Sequence, residues 1–243
     1  MRFPHPTILS YGFRSFVLTV LLFGIFAKPA MGENFALVGV QQSAQSSYDY
    51  LGWIQPFVGS ALGRGLYGQI FLNYLTFHYS SSVGDAPVLV QARVPGVSLG
   101  LGYAFSVGVL QVNISGSFGY QYFSLQPAIP AGGPYRSSFT FVPQVQLHLP
   151  LSHGFYLSGI GSYAFGQDSY WSRLRFGIPL GARWHCGPEF IPSGGRNYQI
   201  RQYGAYVDVS LSQGWGLTLD GGMQQQDGLA NVGYAALSLS KTF

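Results

Sequence analysis

The stretch Tyr170–Glu189, YWSRLRFGIPLGARWHCGPE, alternates with a period of two. One set is Leu174, Phe176, Ile178 and Leu180 and then, past a turn near Gly181, Ala182, Trp184, Cys186 and Phe190. The other is Trp171, Arg173, Arg175, Gly177, Arg183, His185, Gly187 and Glu189. Successive side chains of a strand point to opposite sides, so the pattern predicts a β-hairpin with one apolar face and one charged face. A soluble sheet turns such charges to water, whereas a membrane barrel turns the apolar face to lipid and keeps the charges in its lumen. Composition separates the two. Charged residues make up 8% of the 243, against roughly 25% in an average soluble domain. Beyond the first thirty residues there is no run of about 18 apolar residues, so no spanning helix is expected. The expected fold is all-β: an antiparallel transmembrane β-barrel in the outer membrane of a Gram-negative bacterium, surrounded by outer-membrane lipids. The competing fold is a secreted soluble barrel or sandwich. Its surface would be Ser, Gln, Asn and Gly, which solubilise poorly.

Residues 1–32 read as a cleaved signal peptide. Arg2 and Arg14 precede the apolar run Phe16–Phe26, and Ala30-Met31-Gly32 supplies the small residues of a cleavage site. The barrel domain is then 33–243. Cys186 is the single cysteine and follows no cleavage site, so neither a lipoprotein anchor nor an internal disulfide is expected, and it serves as a small apolar residue. Setting aside Arg2, Arg14 and Lys28 leaves nine basic against eight acidic residues, which makes nucleic acid an unsuitable partner.

From Glu33 onward about twelve strand-like segments follow. Val109–Tyr122 alternates most cleanly, with Leu110, Val112, Ile114, Phe118 and Tyr120 against Gln111, Asn113, Ser115, Ser117 and Gln121. Ser80–Pro95, Phe123–Arg136 and Ile191–Asn197 read as loops, the first two long, and the long connections follow the odd strands. Placing both termini in the periplasm puts the long loops outside, as in outer-membrane barrels. Phe243, with Leu239, Leu237 and Ala235 on its face, resembles the C-terminal signal that such proteins show to the outer-membrane assembly machinery.

Catalytic motifs are weak. Gly96-Val97-Ser98-Leu99-Gly100 fits the G-x-S-x-G pattern, but no strand-to-helix elbow follows. The histidines show no spacing with Ser and carboxylate that selects a catalytic set. His185 and Cys186 point to opposite faces and cannot share a metal. A non-enzymatic chain with no metal and no cofactor is expected. The inward set Arg173, Arg175, Arg183, His185 and Glu189, with Asp208 and Asp220 beside Tyr206 and Thr218, is the candidate site. It is either a self-paired plug or a polar channel in which arginine and aromatic groups, Trp171 and Tyr206 among them, face a sugar. About twelve strands leave room for a narrow pore at most.

Several stretches carry a resemblance: Tyr48-Asp49-Tyr50-Leu51-Gly52, Leu62-Gly63-Arg64-Gly65, Thr76-Phe77-His78-Tyr79, Ser172-Arg173-Leu174-Arg175-Phe176-Gly177, Cys186-Gly187-Pro188-Glu189, and Asn197-Tyr198 through Gly204-Ala205. Through them the chain resembles the cellulose biosynthesis protein BcsS family of outer-membrane barrels. The resemblance implies an accessory role near cellulose export, with cellulose or components of its synthase and export apparatus as partners. It brings no catalytic residue with it. A small-solute porin with an arginine-lined lumen and an outer-membrane lipid-modifying enzyme are the alternatives.

Overall fold

The computed structural model describes residues 33–83, 86–127, 136–196 and 198–243. The expected leader, 1–32, and the Gly84-Asp85 turn lie outside the described residues. The strands are β1 (Phe35–Ser43), β2 (Ser46–Pro56), β3 (Gly65–Val83), β4 (Ala86–Val107), β5 (Leu110–Gln121), β6 (Ser124–Gln126) and β7 (Ser138–Pro150). They continue with β8 (Tyr156–Ala164), β9 (Ser169–Pro179), β10 (Trp184–Gly195), β11 (Tyr198–Ser210), β12 (Trp215–Gln226) and β13 (Val232–Thr242). Each pairs antiparallel with its sequence neighbours, except that β5 pairs with β7 and the three-residue β6 lies against Gln91–Arg93 of β4. Pairing of β1 with β13 closes a ring of twelve strands, leaving β6 outside it. Closure removes every free sheet edge, the condition for strands to cross lipid. The end holding the start of β1 and the finish of β13 is called the base here, and the opposite end the crown.

Parity of side chains decides what fills the barrel and what coats it. Leu99 and Leu101 of β4, Phe118 of β5 and Phe139 of β7 point outward and are 61%, 62%, 73% and 81% exposed. Neighbouring aromatics extend this surface, with Phe118 against Phe141 at 4.9 Å and Tyr120 against Phe139 at 5.1 Å between ring centroids. So continuous an apolar surface suits lipid and not water. At the base, Lys241 interrupts the apolar face but bends its ammonium to the Gln213 carbonyl and over the Trp215 and Phe243 rings. A cation snorkelling at a membrane rim makes contacts of this kind.

The expected loops differ from the observed structure in three places. Within the expected loop Phe123–Arg136, Ser124–Gln126 is the short strand β6, and residues 128–135 lie outside the described residues. Ser80–Val83 and Ala86–Pro95 are paired strand: β3 has 19 residues and β4 has 22, in unbroken register from Gly65↔Ala104 to Val83↔Ala86. Both are roughly twice the 9–11 residues a tilted spanning strand needs. Pro87 and Pro95 read as loop signals, but the inward positions Val90, Ala92 and Val94 are at most 1% exposed, and their burial against Phe77 and Tyr79 outweighs local propensity. Likewise β10 continues to Gly195, so Ile191–Gly195 is strand and not loop. The asymmetry between crown and base therefore lies mainly in strand length.

Two base turns are copies of each other. Leu151-Ser152-His153-Gly154-Phe155 and Leu211-Ser212-Gln213-Gly214-Trp215 each close with an N–H of Leu donated to the aromatic residue's carbonyl, at 2.7 and 2.8 Å. His153 and Gln213 both have φ of 59°, and Gly154 and Gly214 have φ of 82° and 77°. Two successive left-handed residues are affordable because the second is glycine.

Candidate functional site: the barrel lumen

Every strand sends alternate side chains inward, and the pairing register sets which of them meet. Glu189 of β10 lies directly opposite Arg175 of β9. His185 lies opposite Asp208 of β11, and Tyr206 opposite Asp220 of β12. One arginine thereby stands among three carboxylates. Arg175 Nε donates to Glu189 Oε2 at 2.5 Å, its Nη2 donates to Asp220, and its Nη1 is 4.0 Å from Asp208 Oδ1. The guanidinium also sits over the Tyr206 ring, 4.4 Å from its centroid. Only arginine presents enough donors in a fixed fork to serve so many acceptors.

Hydroxyl groups satisfy the remaining lone pairs. Tyr234 donates to Glu189 Oε1 at 3.3 Å and Thr218 to Asp208 Oδ1 at 2.6 Å. The Tyr206 hydroxyl donates to that of Tyr156 at 2.8 Å, which donates to Asp208 Oδ2 at 3.1 Å. Glu189 is fully buried and Asp220 nearly so, while Asp208 keeps 29% of its side chain exposed. The cluster is thus a connected network tying β8 through β13, open to water mainly at Asp208. Tyr156 stands between two imidazoles, with His148 at 5.0 Å and His185 at 5.4 Å. Its ring lies over Gly177, whose missing Cβ makes room for it.

The candidate residues do not all join this network. Arg173 points inward two residues nearer the crown, forms no ion pair among the described residues, and lies 5.8 Å from the ring centroid of Trp171. Trp171 is inward, half-exposed and near the crown. Arg183 is not on a strand face: it occupies the turn between β9 and β10, exposed, and its carbonyl accepts from the Ser210 N–H at 2.8 Å. The physical reason is the length of that turn, which spans residues 180–183 and takes Ala182 and Arg183 out of the ladder. Phe243 lies at the base, its N–H bonded to the Asn34 carbonyl at 2.9 Å and its ring 5.6 Å from that of Trp53. Gly96–Gly100 lies wholly within β4.

Three of the most connected residues, Tyr156, Tyr234 and His148, were not selected from the sequence. Each sits on the polar parity of its strand. The charged residues drew attention, and which tyrosine reaches them depends on strand order around the ring.

At the crown the lumen is crossed by a second set of contacts. Phe77 of β3 and Tyr198 of β11, on walls separated by four intervening strands, stack with centroids 6.1 Å apart. Buried Gln202 donates to Gln224 at 2.9 Å, and the Gln226 amide donates to the His78 carbonyl at 3.3 Å. Beside them Phe77, Tyr79, Val90, Ala92 and Val94 pack with Leu75, Val88, Phe123 and Leu125. Toward β4 and β5 the lumen wall is small: Ser98, Gly100, Gly102, Ser115 and Ser117 face in, and Gln69 reaches over to Ser117 at 2.8 Å.

Comparison with known proteins agrees with this architecture. The profile of the family described as "Cellulose biosynthesis protein BcsS" matches residues 36–243. No curated protein sequence matches at a significant level. Among solved structures, the "KdgM porin" is similar with a TM-score of 0.54 at 8% identity, over 86% of this chain and 99% of that one. The COG4313 outer-membrane channel from Pseudomonas putida F1 is similar with a TM-score of 0.55 at 12% identity, over 89% of this chain and 97% of the other. KdgM has also been solved in complex with disordered oligogalacturonate, and that structure is 9% identical with a TM-score of 0.54. At such identities the likeness establishes the fold, a closed outer-membrane-type barrel, and nothing about cargo.

Proposed function

Since the chain belongs to the cellulose biosynthesis protein BcsS family, we propose that it is a non-catalytic accessory barrel of the outer membrane that assists cellulose production or export. In this reading residues 1–32 direct it out of the cytoplasm, the base faces the periplasm and the crown faces outward. Outer-membrane lipids surround it, and cellulose or a component of its synthase and export apparatus is its partner.

The observation that carries the non-catalytic part is the self-sufficiency of the lumen charges. A general acid or base must reach a reacting group, but Arg175, Glu189 and Asp220 are spent on one another and buried. Deleting the gene in its native strain and measuring cellulose output and fibre architecture tests the role. Lower output, restored by the wild-type chain, is expected; unchanged output and architecture refute it.

A second reading is a small-solute porin. It is favoured by Gln146, which points inward and is nonetheless exposed, so the lumen beside it is not filled by the described residues. Steady ion conductance in planar bilayers, altered by Arg175→Ala, supports the porin; a silent bilayer supports the accessory role.

A further inference from the structure

The lumen has two chemically different sides. Among the described residues its charges lie on β9 to β12: Arg173, Arg175, Glu189, Asp208 and Asp220, two positive against three negative. The inward faces of β4, β5, β7 and β8 carry no formal charge. On β7 and β8 they present amides, hydroxyls and an imidazole, arranged by register in rows. Gln144 lies beside Ser162 and then Trp171, one rung nearer the base Gln146 lies beside Ile160, and below that His148 lies beside Ser158. Gln146 is exposed, and neither it, Gln144 nor Ser158 makes a side-chain hydrogen bond to another described residue. Space remains beside this wall at the exposed Gln146, whereas on the neighbouring strands Ser115 and Ser117 are buried beneath Gln69 and Gly102 beneath the Tyr67 ring.

From this we propose that the neutral wall of Gln144, Gln146, His148, Ser158 and Ser162, closed toward the crown by Trp171, binds an uncharged oligosaccharide. Each glutamine offers two donors and one acceptor carbonyl, and each serine one donor and an acceptor, matched to hydroxyl groups of either role. Trp171 offers a broad apolar face for the C–H side of a pyranose, and its indole N–H gives a further donor. The charges select against the alternative. An acidic saccharide needs free cations, and here Arg175 is already held by carboxylates, while Arg173 stands in a lumen whose fixed charge is net negative. The sugar contacts expected of the inward arginines thus move to their uncharged neighbours. This proposal rests on the role in glycan production proposed above and names the class of molecule the lumen takes.

Trp171 is the inward member of the four tryptophans, Trp53, Trp184 and Trp215 being on outward faces. A chain with Trp53→Phe, Trp184→Phe and Trp215→Phe therefore reports from the lumen alone. The folded barrel is prepared in a detergent without a sugar headgroup, and acrylamide quenching of Trp171 is followed with cellotetraose and, separately, tetragalacturonate. Cellotetraose is expected to protect Trp171 saturably and tetragalacturonate to leave it unprotected. Gln144→Ala with Gln146→Ala is expected to weaken the cellotetraose midpoint at least tenfold, with folding checked by heat-modifiable migration on a gel. If that pair does not fold, Gln146→Glu carries the same expectation at nearly constant size. Protection by tetragalacturonate as strong as by cellotetraose, protection by neither, or an unchanged midpoint in the variants overturns the proposal. Absent binding alongside cellulose loss in the deletion strain sinks this proposal alone; binding alongside unchanged cellulose sinks the accessory role alone.

Discussion

Arg175 is worth more to this barrel as a partner than as a charge. Truncating it to alanine strands the fully buried Glu189 and the nearly buried Asp220 beside each other, two like charges with their shared cation gone. Breaking a buried pair from one side costs about 3–5 kcal/mol, whereas replacing the whole set by uncharged groups of similar volume is close to neutral. Arg175→Ala is therefore expected to lower the urea midpoint of the barrel refolded in micelles, and Arg175→Met with Glu189→Gln and Asp220→Asn to recover most of the loss. Equal midpoints for wild type and Arg175→Ala show that the cluster is dispensable. The face on which each of these residues lies was legible in sequence, because a period of two survives any uncertainty about strand ends. Their partners were not. That Glu189, and not Gly187, meets Arg175 head-on follows from a four-residue turn at 180–183, and the same turn takes Arg183 out of the site.

At the scale of the element, the paired base turns isolate one physical variable. Gly154 and Gly214 share a left-handed conformation, which costs an L-residue about 1–2 kcal/mol. Their surroundings differ. A Cβ on Gly214 would lie 2.6 Å from the Thr242 carbonyl oxygen, whereas one on Gly154 would lie 3.4 Å from the Pro179 side chain. Gly154→Ala is expected to cost the conformational term alone, about 1 kcal/mol, and Gly214→Ala clearly more, read as the difference in their urea midpoints. Equal losses mean that the β13 backbone gives way freely. The long hairpin of β3 and β4 makes a complementary case. Val94 is 1% exposed among apolar neighbours, so Val94→Asp, a carboxylate with no partner there, is expected to expose the crown end to protease while leaving the base turns protected. This hairpin was the least legible part of the fold. Its prolines carry the local signature of a loop, and the cluster that overrides them draws Phe77, Tyr79, Phe123 and Leu125 from separate segments.

For the whole molecule, twelve strands set the width of the lumen and side chains decide how much of it is left. The two obstructions differ in kind. The Arg175 cluster clings to one wall, β8 through β13, whereas Phe77 and Tyr198 meet across the crown from strands with four others between them. Removing the cluster loosens a wall; removing the stacked rings opens a passage. Phe77→Ala with Tyr198→Ala is therefore expected to raise single-channel conductance in planar bilayers well above wild type, and Arg175→Ala to raise it far less. The fixed charge of the lumen, two arginines against three carboxylates, sets the sign of the current: cations should carry most of it, despite the arginines that dominate the sequence. The exposed carboxylate nearest the open wall is Asp208, so adding Asp208→Asn to the opened variant should move its reversal potential in a KCl gradient toward zero. Anion preference in the opened variant contradicts the charge assignment, and conductance unchanged from wild type locates the constriction away from Phe77 and Tyr198.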